Sequence, residues 1–574
     1  MSWEKVYEQW ADSDKLDDTL KKQLADLAND QAMKKDAFYK PLEFGTAGMR
    51  GIIGPGINRM NIFTVRQATE GLARFMDTQD LATKKRGVAI AYDSRHMSPE
   101  FAMEAAKTLA KHDIPSFVFE SLRPTPELSY AVRFEEAFAG IMITASHNPA
   151  AYNGYKIYGE DGGQMPPEHA DALTAFVRQV ENPLEVEILS EEAAKQADLI
   201  HIIGEEIDTA YLKEMKTVTI NQELINEMGE ELKLVYTPLH GTGGMLGEKA
   251  LQQAGFKSYM LVPEQAIADP DFSTVKSPNP EEPGAFEYAM KLGEKEDADL
   301  LIATDPDADR LGAAVRLPDG SYQVLTGNQI GAILIRYILQ AHQDAGTLAK
   351  NAAVLKSIVS SELPTAIAKS YGAEMISVLT GFKFIAEKIQ QYEDDGSHTF
   401  MFGFEESYGY LIKPFVRDKD AIQALILLAE VAAYYKKAGK TLYDGLQDIL
   451  AEYGYFAEKT ISITLDGEAG AAKIEEILGN LRQEAPKDFA GINVVLTEDF
   501  LKRETTDESG KISLIEMPPS NVLKYVLADE TWIAIRPSGT EPKIKFYIGV
   551  KGESQADAVN KLETFETAIK QLTE

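Results

Sequence analysis

Residues 140–156 read GIMITASHNPAAYNGYK, a greasy β-branched run that ends in Ser146, His147, Asn148 and Pro149. A serine in that place can be a nucleophile, a metal ligand, a turn former or simply a hydroxyl at a strand end. A hydrolase nucleophile elbow asks for glycine two residues either side of the serine, and Thr144 and Asn148 stand there instead. His147 is expected to be badly placed as a base for its neighbour, because adjacent side chains diverge. A phosphoryl acceptor has different needs: an exposed hydroxyl, donors for phosphate oxygens and a group that moves a proton. Lys156, past the turn formers Asn153 and Gly154, can be that group if it is partly desolvated.

A second polar loop follows a buried-type strand in LLIATDPDADR, residues 300–310. Asp305, Asp307 and Asp309 alternate, so in an extended loop their carboxylates converge on one side and offer oxygen ligands suited to Mg²⁺. Without a cation three such charges would repel one another. An EF-hand fails, because Arg310 and Arg316 occupy the positions that need Gly and Glu. A phosphatase of the haloacid-dehalogenase kind, with Asp305 as nucleophile, would need Thr or Val at position 309, where this chain has Asp. GFEESYGY, residues 403–410, offers Glu405, Glu406 and Ser407 to sugar hydroxyls, with Arg417 and Lys419 adding positive charge downstream. IAIRPSGTEPKIKFY, residues 533–547, gathers Arg536, Ser538, Gly539 and Thr540 as anion donors, with Lys543 and Lys545 close by.

Strand and helix signals alternate around these loops. GVAIAY (87–92) reads as a strand, SPEFAMEAAKTLAKHD (98–113) as a helix opened by a Ser cap and a Pro in its first turn, and SFVFE (116–120) as a strand. TPELSYAVRF is then helical, and AFAGIMIT is the strand that ends at Ser146. The rhythm restarts with ELKLVYTP and again with NQIGAILIRYILQAHQ. The C-terminal part alternates like half-exposed strands and closes on an amphipathic helix. The fold class expected is α/β: three similar mixed-sheet domains, 1–205, 206–323 and 324–454, and an α+β domain over 455–574.

At 574 residues the chain is too long for one core. It has no cysteine, so neither disulfides nor thiolate metal sites are available. No apolar run approaches the roughly 20 residues that span a bilayer, and the acidic start lacks a signal-peptide pattern. A cytoplasmic protein is expected. Its net charge of −32 argues against nucleic acid and anionic membrane as partners. An anionic substrate would therefore need a local basic island.

FGTAGMRG (44–51), TASHNPAAYNGYK, DPDADR, TGFKF (380–384), GFEES and RPSGTEPK, in that order along the whole chain, together resemble the active-site loops of the α-D-phosphohexomutase superfamily. The resemblance implies four domains around a central cleft and interconversion of glucose 1-phosphate and glucose 6-phosphate, with mannose phosphates as further substrates. The alternatives are a phosphopentomutase or mainly a phosphomannomutase. Ser146 resembles the serine that carries the transferable phosphoryl group. Asp305, Asp307 and Asp309, with the phosphoserine oxygen of Ser146, resemble the ligands of one catalytic Mg²⁺ per chain. Lys156 matches the general acid/base lysine, Arg50 and Arg310 the arginines at the phosphoserine, and His147 is counted in the same catalytic set. Glu405 and Ser407 align with the E-x-S that reads sugar hydroxyls, although Phe404 stands where many members have Gly. Thr380, Gly381 and Lys419 correspond to further substrate contacts, and Arg536, Ser538, Gly539 and Thr540 to the clamp on the non-reacting phosphate. Glucose 1,6-bisphosphate is the implied activator, and the implied assembly is a monomer or weak homodimer. A catalytically silent relative would have lost the serine or an aspartate, and both are kept.

Overall fold

The computed structural model describes residues 2–42, 48–165, 167–465, 467–537 and 543–573. The chain divides into two compact units, one formed by Met1–Ile330 with Gly381–Leu442 and the other by Gly331–Thr380 with Tyr443–Glu574. Among the described residues no helix is long and apolar enough to cross a membrane.

The first unit holds two mixed sheets. In the first sheet, strands β1 (Met49–Ile52), β2 (Val88–Tyr92), β3 (Ser116–Phe119), β4 (Ala139–Ile143), β5 (Tyr152–Tyr158) and β6 (Ile200–Ile203) lie in the order β1-β5-β4-β2-β3-β6. β4, β2, β3 and β6 run parallel, while β5 and β1 are antiparallel additions at one edge. All five residues of β4 are buried, as expected of a β-branched run in a parallel sheet covered on both faces. One face packs Val88, Ile90, Ile141 and Ile143 against the helices Ile62–Asp77 and Ser98–Lys111. The other packs Ala89, Ala91 and Met142 against Leu128 and Val132 of the helix Thr125–Phe134. Three N-terminal helices, which the sequence reading did not distinguish, close a small satellite core of Trp10, Leu20, Leu24 and Phe38 on Phe63.

In the second sheet, β7 (Leu234–Thr237), β8 (Tyr259–Leu261), β9 (Leu300–Thr304), β10 (Leu311–Arg316) and β11 (Tyr322–Val324) lie in the order β11-β10-β9-β7-β8. β8, β7 and β9 are parallel and the other two antiparallel. The same unit contains the hairpin Thr399–Glu405 with Gly409–Leu411 and the buried helix Ala421–Lys437. The second unit contains a parallel pair, Ala352–Ser357 with Glu374–Val378. It also contains an antiparallel sheet in which Lys543–Gly552 lies between Tyr455–Thr464 and Trp532–Pro537. Ile544, Phe546 and Ile548 of that central strand pack with Phe565 and Ile569 of the closing helix Gln555–Thr573.

Three local expectations are corrected. Ser98 is the first residue of its helix and not its cap: the cap position is Met97, at φ 65°, and the Ser98 hydroxyl donates to Asp93 Oδ1 at 2.8 Å. Asn153 and Gly154 are not turn formers. Both lie inside β5, where a Cβ on Gly154 would stand 2.4 Å from the Thr144 carbonyl oxygen and 2.7 Å from that of Met49. Glycine is there so that neighbouring backbones can close in. Nor is the DPDADR loop extended. It is a tight turn, with Ala308 at φ 50° and its amide donating to the Asp305 carbonyl at 2.9 Å.

Candidate active site

Ser146 follows β4 and Asp305 follows β9, both at carboxyl ends of parallel strands, where α/β sheets present their loops. The Ser146 hydroxyl donates to Asp305 Oδ2 at 2.7 Å, and the serine is only 1% exposed. Its backbone is left-handed, φ 51°, which costs a non-glycine residue on the order of 1 kcal/mol or more. That conformation also overturns the expectation for His147. Instead of diverging, the two side chains approach, with Oγ and Nδ1 3.2 Å apart. Burial, and then Arg310 and Arg50, hold the His147 imidazole well below its ordinary pKa, so it is neutral near pH 7.

The turn after Asp305 gathers Asp305, Asp307 and Asp309, all buried, with one oxygen of each within 4.8 Å of the others. At such separations two carboxylates repel by about 4 kcal/mol even at an effective dielectric near 20. Burial and then Asp307 and Asp309 push the Asp305 carboxyl well above its usual range. Two lysines offset part of the charge. Lys156, on β5 opposite Met142, donates to Asp307 Oδ2 at 2.8 Å and stands 3.5 Å from Asp309. Lys419 lies 3.1 Å from Asp309 and 2.9 Å from Asp418, and although burial opposes its charge these carboxylates raise its pKa. Even so, Asp307 Oδ1 and Asp309 Oδ1 are buried with no hydrogen-bond partner among the described residues. Three carboxylates that each bring an oxygen within 4.8 Å of the others, two of them with an oxygen left unpaired, fit a hard divalent cation such as Mg²⁺.

Arg50, on β1, donates to Asn148 Oδ1 at 2.9 Å. Arg310 lies 2.6 Å from Glu281 and 3.9 Å from Asp309. The arginines are thus carried to the rim of the serine loop and of the aspartate turn, respectively. The GFEES loop joins the aspartate turn through an isolated bridge between Arg310 and Gly409, and the Leu311 amide donates to the Tyr408 carbonyl. Glu405 is buried and accepts the Gly381 amide at 2.7 Å, while Glu406 and Ser407 are half-buried. Burial and then Glu406 raise the Glu405 pKa. Arg417 turns away from this cluster to pair with Glu393.

Thr380 and Arg536 belong to the second unit. The Thr380 hydroxyl is buried without a hydrogen-bond partner among the described residues, and Arg536 lies on the strand Trp532–Pro537. Ser538, Gly539 and Thr540 lie outside the described residues. The same unit contains a cluster the sequence reading missed. Lys356 pairs with Glu362 at 2.8 Å, burial lowers its pKa to about 8, and Lys524 donates to the Ile358 carbonyl at 2.9 Å.

In the first unit the reading missed Thr125, Tyr158, Asp418, Asp93 and Arg95. The Thr125 hydroxyl donates to Asp307 at 2.8 Å, and Tyr158 and Gln164 hold Asp418 at 2.8 and 3.2 Å. Asp93 and Arg95 carried a usable signal, since YDSR is itself a polar loop directly after a buried strand. Thr125 opens a helix, and nothing local marks it.

Residues 41–183, 209–318, 326–453 and 467–563 match the family descriptions Phosphoglucomutase/phosphomannomutase, alpha/beta/alpha domains I, II and III and C-terminal domain. A phosphoglucomutase of Staphylococcus epidermidis is 42% identical over 541 residues, 94% of this chain and 95% of the relative. One of Staphylococcus aureus is 42% identical over 537 residues, 92% and 93% of the two chains. Among solved structures, parafusin (phosphoglucomutase) from Paramecium in an open form has a TM-score of 0.67 at 18% identity, covering 93% of this chain and 95% of its own. A phosphoglucomutase/phosphomannomutase family protein from Burkholderia thailandensis has 0.65 at 17%, covering 92% and 97%. These two structures establish likeness of fold. A serine aimed at a buried carboxylate trio, on mixed α/β sheets with a C-terminal antiparallel domain, is the frame of a phosphohexomutase. The chain belongs to the phosphoglucomutase/phosphomannomutase family.

Proposed function

We propose that this enzyme interconverts α-D-glucose 1-phosphate and glucose 6-phosphate through a phosphorylated Ser146 and a glucose 1,6-bisphosphate intermediate. The observation that carries the reading is the Ser146 hydroxyl held 2.7 Å from Asp305 in a chain 42% identical to phosphoglucomutases. Ser146 Oγ carries the phosphoryl group. Its P–O bond breaks as a sugar hydroxyl oxygen takes the phosphorus; Lys156 Nζ, as the neutral amine, takes the hydroxyl proton and returns a proton to the departing serine oxygen, so that Ser146 is left as a hydroxyl. Arg50 and Arg310 bring positive charge to the oxygens of the moving group. Asp305, Asp307 and Asp309 would hold one Mg²⁺ together with the phosphoserine oxygen. When bound, the cation supplies charge that offsets the roughly −2 of phosphoserine.

The bisphosphate must then turn round so that its other phosphate faces Ser146, and free bisphosphate serves as activator. Glu405 and Ser407 are proposed to read the sugar hydroxyls, with Thr380, Gly381 and Lys419 as further contacts. Arg536, Ser538, Gly539 and Thr540 are proposed to bind the phosphate that is not reacting. Neutral His147 contributes a hydrogen-bonding partner beside Ser146 rather than charge. The domain boundaries at 205/206, 323/324 and 454/455 belong to the same reading.

The test is Ser146→Ala. Turnover of glucose 1-phosphate should vanish with the melting temperature kept, and the phosphate adduct that intact-mass analysis detects on the parent enzyme should map to Ser146. Mutase activity surviving in the variant would sink the phosphoserine route. Mannose and ribose 1-phosphates assayed alongside should be turned over more slowly, and a faster reaction with either would replace glucose as the preferred sugar.

A further inference from the structure

The turn after β2, residues 93–98, has no part in the chemistry above, yet its Arg95 is 2% exposed and directed at the serine loop. Arg95 Nη2 donates to the Ser146 carbonyl at 2.6 Å and also to that of Asn148. Nη1 donates to the carbonyls of Pro149 and Tyr152 at 2.9 and 3.0 Å. Nε stands 3.2 Å from Asp93 Oδ2, an ion pair without hydrogen-bond geometry. Asp93 is fixed in turn, since its Oδ1 accepts the Arg95 amide at 2.9 Å and the Ser98 hydroxyl at 2.8 Å. Asn153 closes the ring from β5, donating to Ser98 Oγ and the His96 carbonyl at 2.9 Å each. The Phe272 ring lies 4.9 Å from the guanidinium carbon.

We propose that Arg95 is the positioning residue of the phosphoryl carrier: by gripping the carbonyls of residues 146–152 it holds Ser146 in its left-handed backbone with Oγ directed at Asp305. The inference rests on Ser146 being that carrier. Four carbonyl oxygens spread over one loop need a rigid planar fork, and arginine offers five N–H donors where lysine offers three on a single nitrogen. A left-handed serine persists only where its surroundings over-determine it, and the grip on the Ser146 carbonyl acts at that residue. Arg95 acts through the loop, without contact to the transferred group. Its loss should therefore slow transfer while leaving sugar binding in place.

The experiment compares Arg95→Ala, Arg95→Lys and Ser146→Ala in the full-length enzyme with saturating Mg²⁺. It reads kcat, KM for glucose 1-phosphate, melting temperature and phosphate on Ser146 by peptide mass. A misaimed nucleophile costs about 10²-fold, so Arg95→Ala should lose about that much kcat with KM within roughly threefold. Added guanidinium ion should restore at least about tenfold by refilling the fork. Arg95→Lys, which keeps the charge, should stay folded and still lose about tenfold. The proposal is overturned if folded Arg95→Lys matches the parent kcat, or if guanidinium raises the melting temperature of Arg95→Ala without raising kcat. Activity surviving in Ser146→Ala would instead overturn the carrier assignment itself, whatever the Arg95 variants do.

Discussion

Lys156 has two jobs that pull in opposite directions. It stands 2.8 Å from Asp307, where it neutralises charge, and it is the proposed proton carrier. Lys156→Met should lower kcat by about 10²- to 10⁴-fold, the range for a lost general acid or base. Removing a positive charge from the carboxylate trio should at the same time tighten Mg²⁺, so the apparent metal constant from an activity titration should fall or hold. A weakened metal together with full kcat would reverse both assignments. That a lysine past the serine loop could join its chemistry was legible in the TASHNPAAYNGYK spacing. That Lys419 shares the task was not, because its approach to Asp309 is made across more than a hundred residues of chain.

Two helices of the first sheet are joined by a proton-dependent contact. His112, capping the helix Ser98–Lys111, stands 2.8 Å from Glu70 and 2.7 Å from Asp77 of the helix Ile62–Asp77, while Arg74 and Lys84 face the same carboxylates. The hydrogen bond with Glu70 raises the His112 pKa, burial opposes it, and Asp77 adds to it. The charged imidazole is therefore bound more tightly in the folded chain than in the unfolded one. Its contribution is complete below the unfolded value of about 6.5 and disappears as pH rises through the raised folded value. Partial exposure limits it to about 1 kcal/mol or less. Melting followed from pH 6 upward should show the parent losing that increment and His112→Gln lacking it, and parallel curves would remove the contact from the account.

At this scale the alternation of β2, β4, β9 and their helices was readable because parallel strands buried on both faces are continuous apolar runs. The N-terminal helices were not, since Trp10, Leu20 and Phe38 are apolar points in otherwise charged stretches. Alternating aspartates fit an extended loop as well as the turn at Ala308, and only hydrogen bonds such as that from the Ala308 amide to the Asp305 carbonyl decide between them.

For the molecule as a whole the net charge of −32 sets a repulsive field for a sugar phosphate, and Arg50 and Arg310 oppose it only locally. Raising ionic strength from about 10 to about 150 mM shrinks the screening length from roughly 30 to 8 Å. At saturating Mg²⁺, kcat/KM for glucose 1-phosphate should therefore rise a few-fold, while kcat stays level. A fall in kcat/KM would mean that the local basic groups, and not the surface, govern encounter.

The first unit is also discontinuous in sequence, since Met1–Ile330 is completed by Gly381–Leu442. Tyr158 meets Asp418 across 260 residues, and the Leu311 amide meets the Tyr408 carbonyl that the hairpin supplies. Domains fold as they leave the ribosome, N-terminal parts first, at about 5–20 residues per second. The serine loop and the aspartate turn thus emerge many seconds before the segment that seals them. A nascent chain stalled short of Lys419 would hold three crowded carboxylates lacking one of their balancing cations.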